Sequence, residues 1–257
     1  MEFTRLPPMI GKIETQLINK IESKGCLFVV LLDPDTNSPE QFIQAGISAV
    51  EQGVDALFIG GSFIGNTHFP QMMKTLSKEV SVPVILFPGG ASQITPGPDA
   101  ILFTTLVSGR NPQYLIDEQI KGAVLVKSYG MEPLPTAYML IESGATTAVE
   151  YISNTKPIPA NKPMIAGATA LAAQMMGHRW VYLEAGSGAL NPVPPLLVSV
   201  VRNACDLKVI VGGGIKSPEA AAERVKAGAQ AIVIGTAYEK LQDPQLLKEI
   251  GEAIHSK

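Results

Sequence analysis

The sequence predicts an α/β protein: a closed (β/α)8 TIM barrel with the helix after strand three missing or replaced by a loop. Three observations carry that expectation. Eight short apolar runs follow one another along the 257 residues, at roughly 30 residues per unit, the size of a repeat in such barrels. The runs are mostly apolar rather than alternating, as parallel strands covered on both faces should be. Amphipathic helical patterns fill most of the intervals. An open doubly wound sheet is the alternative that the same repeat allows.

The first run is "LFVVLLDPD" (residues 27–35). The helix after it is announced by "SPEQFIQAGISAVEQG", with Ser38 as N-cap, Pro39 in the first turn, Gln41 three residues after the cap and Gly53 as the stop. "DALFIGGS" (55–62) and "PVILFPGG" (83–90) are the second and third strands. Only "ASQITPGPD" separates the third from "AILFTTLVSG" (100–109). That interval is too short and too rich in Pro and Gly for a full helix.

"PTAYMLIE" (135–142) is the fifth strand. The irregular stretch "TTAVEYISNTKPIPANKP" (146–163) follows, its first part read as a short extra strand and its prolines as a loop. "RWVYLEAGSG" (179–188) is the sixth strand and "KVIVGGG" (208–214) the seventh. "SPEAAAERVKAG" repeats the first helix's capping device with Ser217, Pro218 and Gly228, and runs into the last strand, "AIVIGTA" (231–237). No linker interrupts the chain, so a single domain over 1–257 is expected.

Composition excludes several classes. The formal charge is −3, from 20 Lys+Arg against 23 Asp+Glu, and no basic block stands out, so nucleic acid is not an expected partner. Two cysteines, Cys26 and Cys205, match no metal or redox spacing, which suits a reduced, cytoplasmic chain. "MEFTRLPPMI" lacks a signal-peptide core, and no run approaches the roughly 18 apolar residues of a spanning helix. The mean hydropathy of +0.21 fits a large core, or else an apolar groove or subunit interface.

In barrels of this kind the chemistry lies at the C-terminal ends of the strands. Here those ends carry Asp33 and Asp35, Ser62, Glu142, Glu184, Gly212 to Gly214, and Gly235-Thr236. The last two groups occupy the usual phosphate position, where glycine-turn N–H groups approach an oxyanion closely. No GxxxxGK[ST] occurs, so this is not a nucleotide P-loop. A carboxylate in "LLDPD" would repel a phosphate unless a cation such as magnesium intervened; it would otherwise cap a turn.

Glu184 follows the apolar "VYL" and precedes a small-residue run. A carboxylate there must be solvated, paired or used. It fits either a structural acceptor of backbone N–H groups or a general base for a hydroxyl. Tyr182, two residues earlier, points to the same side. His68, His178 and His255 show no triad or metal spacing.

Together "LLDPD", "IGGS", "YLEAGSG", "VGGGI" and "IGTA" resemble, in order and spacing, the geranylgeranylglyceryl phosphate synthase family, which includes bacterial heptaprenylglyceryl phosphate relatives. "LLDPD" is closer to the family's second main group; a bacterial branch carries Lys where this chain has Leu31. The resemblance implies a prenyltransferase of lipid biosynthesis that forms an ether between the C3 hydroxyl of sn-glycerol 1-phosphate and a long prenyl diphosphate. It implies Mg2+ at Asp33 and Ser62, with Asp35 undecided. The glycerol phosphate site would be Tyr182, Leu183, Glu184, Ala185, Gly186, Ser187, Gly188, Gly213, Gly214, Gly235 and Thr236, with Glu184 as base and Tyr182 as its aid. The missing helix opens a groove for the prenyl chain, with Phe103 and Tyr138 as candidate walls. A homo-oligomer with at most peripheral membrane contact is expected. Without the resemblance, the alternatives are a sugar-phosphate isomerase or epimerase and a non-catalytic phosphate-binding barrel.

Overall fold

The computed structural model describes residues 10–36, 38–235, 238 and 243–255. Eight parallel strands close on themselves in sequence order. They are β1 (Leu27–Leu32), β2 (Ala56–Ile59), β3 (Val84–Leu86), β4 (Ala100–Leu106), β5 (Glu132–Leu140), β6 (Trp180–Glu184), β7 (Lys208–Gly212) and β8 (Ala231–Ile234). β1 pairs with both β2 and β8, which closes the ring.

Alternation along each strand then divides the apolar residues into two layers. Val29, Phe58, Ile85, Leu102, Tyr182 and Ile210 fill the barrel. Phe28, Leu57, Leu86, Val181, Leu183 and Val209 face the surrounding helices. Strands buried on both faces need apolar residues at every position, which is why the runs read as continuous.

The helices are α1 (Lys12–Lys24), α2 (Pro39–Glu51), α3 (Phe69–Glu79), α4 (Glu118–Ser128), α5 (Ala148–Ser153), α6 (Pro163–Met175), α7 (Pro195–Ala204), α8 (Pro218–Lys226) and α9 (Pro244–His255). The capping box expected at Ser38 forms: its hydroxyl accepts the Gln41 N–H, and the Gln41 side chain returns to the Ser38 N–H. Ser217 likewise caps α8 by accepting from Ala220 N at 3.2 Å.

α1 covers the N-terminal end of the barrel, where Leu17 and Ile21 join the interior layer. Its first N–H groups have no cap of their own. Glu132, at the start of β5, accepts both Ile13 N and Glu14 N at 2.8 Å. Buried Glu14 in turn receives Arg179 Nη2 at 2.6 Å and the Trp180 indole N–H at 2.9 Å. That pairing compensates a buried charge that would otherwise be costly.

Between β3 and β4 there is no α-helix, only one 3₁₀ turn, Ala91–Gln93. The segment is held by side chains instead. Gln93 Oε1 accepts Gly89 N at 2.7 Å, Glu118 Oε2 accepts Ala91 N at 2.6 Å, and Asp99 Oδ2 accepts Val84 N at 2.9 Å. No helix covers the wall on this side, as expected; Ile94 of the short segment packs against it instead.

Two details differ from the sequence expectation. The start of the 146–163 stretch is α5, not a strand. Thr147 accepts from Glu150 N and starts the helix, and Asn154 ends it in the left-handed region at φ 48°. The only pairing nearby among the described residues is an isolated bridge, Ile141 with Ile158. The fifth strand also begins earlier, at Glu132, despite Pro133 and Pro135. Glu132 gives its N–H to Asp99 O on the β4 side, so alternate residues face β6. Both prolines precede the first β5–β6 pair, Thr136 with Trp180, and break no ladder bond. Among the described residues no helix is long and apolar enough to cross a membrane.

Candidate active site

A cavity of about 660 Å³ opens at the C-terminal ends of the strands. Asp33, Ser62, Tyr182 and Glu184 all line it. So do Gly186, Ser187, Gly188, Gly213, Gly214 and Gly235. Leu183 and Ala185 do not: alternation past Tyr182 turns both into the layer behind the strands. Thr236 lies outside the described residues. Asp35 is turned away as well, its carboxylate holding Gly65 N at 2.7 Å and Asn66 N at 2.9 Å. Glu142 accepts Ala160 N at 3.3 Å and lines no part of the cavity.

Glu184 ends β6 and is 6% exposed. Its Oε1 accepts the Gly186 N–H at 2.6 Å. Burial pushes its pKa up to about 7, against the pull of the Gly186 N–H and the Tyr182 hydroxyl. A carboxyl poised there is a proton acceptor at neutral pH. Tyr182 is fully buried. Its hydroxyl has no partner of full hydrogen-bond geometry among the described residues. Burial, then the Glu184 charge, raises the phenol's pKa well above its usual value, so it stays protonated.

Tyr182 is fixed by packing. Its ring centroid lies 5.0 Å from that of Phe87 and 5.6 Å from that of Tyr138. Phe87 also contacts Phe58 at 6.2 Å. On the other side stands Gly212, where any Cβ would drive into the Tyr182 hydroxyl.

The two glycine turns touch. A Cβ on Gly213 would strike Glu184 Oε1 and approach Gly186 N at 2.7 Å and Ala185 N at 2.9 Å. Gly213 and Gly214 have φ 81° and 71°, and Gly186 and Gly188 have φ 99° and 74°. These are conformations in which glycine avoids strain. The turns thus bring backbone amides and the Glu184 carboxylate into one small region, an arrangement able to hold an oxyanion beside a base.

Asp33 lies across the cavity from β6, just past β1. Its Oδ1 accepts the Asp35 N–H at 2.9 Å. Burial raises its pKa, opposed by that N–H, and the Asp35 charge raises it further. Gly61 passes so close that a Cβ would lie 2.9 Å from Asp33 Oδ2. Among the described residues no three His, Cys, Asp or Glu cluster as a complete metal site. One desolvated carboxylate, Asp33, and the hydroxyl-bearing Ser62 line the same cavity, a donor set that suits Mg2+, which takes oxygen ligands, keeps several waters and uses substrate phosphates.

The cavity continues through the uncovered wall. There Ile101 and Phe103, on the outer face of β4, are lining residues, together with Ile94 and Ala91 of the short segment. Tyr138 lines it from the inner face of β5. The sequence reading did not include Phe87, Glu118, Gln119, Val149, Ile152 and Lys216, which also line it. Val149 and Ile152 are three apart on α5, the spacing that puts both on one helix face. Glu118 and Gln119 reach the groove because the absent helix leaves room for the start of α4.

A model of the PcrB family matches residues 18–254. The geranylgeranylglyceryl phosphate synthase of Thermococcus kodakarensis is 45% identical over 241 residues, 93% of this chain and 94% of that protein. That of Chitinophaga pinensis is 40% identical over 249 residues, 96% of this chain and 98% of that one. Among solved structures, (S)-3-O-geranylgeranylglyceryl phosphate synthase from Thermoplasma acidophilum, in complex with its substrate sn-glycerol-1-phosphate, superposes with a TM-score of 0.89. It is 32% identical, with 96% of this chain and 99% of that chain covered.

Proposed function

The chain belongs to the PcrB family, and from that membership we propose that it is a prenyltransferase joining sn-glycerol 1-phosphate to geranylgeranyl diphosphate. The C3 oxygen of the acceptor forms the new ether bond, the bond from the donor's first carbon to its diphosphate breaks, and diphosphate leaves with the electron pair. The observation that carries the reading is a single cavity with two kinds of wall. At one end the glycine turns surround a buried carboxylate of pKa about 7; at the other the cavity runs out through an apolar gap.

Each residue then has a task. Backbone amides of the turns at Gly186–Gly188 and Gly213–Gly214 hold the acceptor phosphate, with Gly235 and Thr236 completing that end. Glu184 accepts the proton of the C3 hydroxyl. Tyr182, kept protonated by burial, orients that hydroxyl. Holding both reactants makes the encounter effectively intramolecular, the largest expected gain. Leu183 and Ala185 support the site from behind. Asp33 and Ser62 would hold Mg2+, whose charge would neutralise the diphosphate and make it a better leaving group.

The reading also includes a cytoplasmic place and a homo-oligomer. Cys26 and Cys205 are both free and buried, which suits a reducing compartment. α6 is largely apolar, with Met164, Ile165 and Met175 exposed on it and Met176 exposed just past its end, which supports association. Membrane contact would be peripheral at most, for delivery of the product.

The test is turnover with sn-glycerol 1-phosphate and prenyl diphosphates, followed by identification of the ether product. No product with any donor overturns the reading. Two further outcomes are expected. Asp33→Asn removes a full ligand charge and should weaken Mg2+-dependent donor binding by at least about tenfold. Titration of the donor with and without chelator checks this; activity indifferent to chelator would remove the metal. The sn-1 enantiomer should be strongly preferred, because a base at Glu184 and a phosphate at the turns leave one hydroxyl in reach. Equal rates with both enantiomers at matched concentration would count against a preformed pocket.

A further inference from the structure

We propose that Lys216 is a binding residue for the phosphate of the acceptor, supplying the positive charge that the glycine turns lack. The inference rests on the reading of those turns as the acceptor site, and goes beyond it by assigning a side chain.

The charge balance of the cavity favours such a group. Three carboxylates line it, Asp33, Glu118 and Glu184, of which Glu118 is already paired with Lys121 at 2.8 Å. Both reactants of the proposed reaction are anions. Among the described residues, Lys216 is the one Lys or Arg that lines the cavity. On the opposite side of the turn region Leu31 is apolar, its Cβ 3.6 Å from where a Cβ of Gly235 would stand.

The position of Lys216 fits the task. It follows Gly214 by two residues along the chain. Its Nζ reaches over to the other turn and lies 3.5 Å from Ala189 O. Ala189 N itself closes the Gly186 turn by bonding to Gly186 O at 3.1 Å. The ammonium therefore stands where the two turns meet.

The helix that follows offers little competing positive field. Ser217 Oγ already accepts the Ala220 N–H, and Glu219 adds a negative charge in the first turn of α8. Glu219 also interacts with Ser217, which holds its carboxyl below the usual range. A phosphate at the turns would thus face a helix start that is already capped and already carries an anion. Lys216 is the nearby full positive charge. Lys216 is an exposed residue, so water screens part of the attraction.

The experiment is calorimetric titration of metal-free protein, without donor, using sn-glycerol 1-phosphate and inorganic phosphate as probes. Lys216→Met and Lys216→Gln should each raise the acceptor Kd about tenfold. Lys216→Arg should stay within about threefold of the parent. The Gln variant separates the roles, because it keeps a donor for Ala189 O and loses only the charge. The parent's affinity should also fall with added salt more steeply than that of the Gln variant. If the parent binds sn-glycerol 1-phosphate and Lys216→Gln binds it equally well, Lys216 is only a tether and the proposal is overturned. If the parent binds neither probe, the acceptor site itself is misplaced, and the assignment of Lys216 goes with it.

Discussion

Glu184→Gln is expected to lower turnover by roughly 10²- to 10⁴-fold, the range for losing a general base. Acceptor binding should fall much less. The substitution keeps the shape, and the amide oxygen can still accept the Gly186 N–H that Glu184 holds at 2.6 Å. What is lost is the ability to take a proton. The parent should show the complementary pH profile. Only the ionised carboxyl is a base, and its pKa stands at about 7. The rate should therefore rise with pH through a limb near that value, and the Gln variant should lack the limb. Turnover of Glu184→Gln within a few-fold of the parent would remove the residue from the chemistry.

Stability should move in the opposite sense. The Glu184 carboxyl is raised above its unfolded value of about 4.3. Its contribution to stability is fully present below that value and is lost as pH rises through about 7. The Gln variant has no charge to bury, so it should be more stable than the parent above pH 7, by a margin on the order of 3 kcal/mol. Denaturant unfolding at pH 6 and pH 9 would measure the difference. A margin that did not grow with pH would mean the carboxylate is better solvated than its 6% exposure implies.

Much of this site was legible before the structure because function here conflicts with local sequence preference. A glutamate ending an apolar strand, beside glycines that need positive φ, is a local inconsistency that folding alone does not ask for. The barrel was legible for the opposite reason: continuous apolar runs, helix-capping serines and stop glycines agreed at every level. The missing helix was visible in residues 91–99 because proline and glycine forbid it locally.

What stayed hidden depended on tertiary context. The side chains of Leu183 and Ala185 pack behind the strands, an orientation that follows from the strand's alternation from Tyr182 and Glu184 and not from the contiguous motif. α5 was misread because six residues are too few for a helical period to declare itself. Lys216 gives no signal in one dimension; its place follows from two turns far apart in sequence meeting in space. Glu118 and Gln119 reach the cavity only because the neighbouring helix is absent, a consequence that no window of sequence contains.

Donor affinity is expected to rise steeply from C10 to C15 to C20 diphosphates and then level off where the groove ends. The physical basis is the uncovered wall. Ile101 and Phe103, which a helix would normally cover, instead line the cavity, with Ile94 and Ala91 beside them. Each buried CH₂ is worth roughly 0.8 kcal/mol, so one isoprene unit offers about 4 kcal/mol before costs. Ordering the chain and imperfect contact absorb much of that. About tenfold in Kd per unit, near 1.4 kcal/mol, is a realistic remainder. The diphosphate is the same in every member of the series, so the gradient isolates the tail. Titration at fixed Mg2+ with donors from C10 to C30 would measure it. The chain length at which the curve flattens reports the length of the groove. A flat series from the start would mean the protein does not read the tail. The open wall would then need another purpose, and a phosphate-binding barrel acting on small sugars would regain ground.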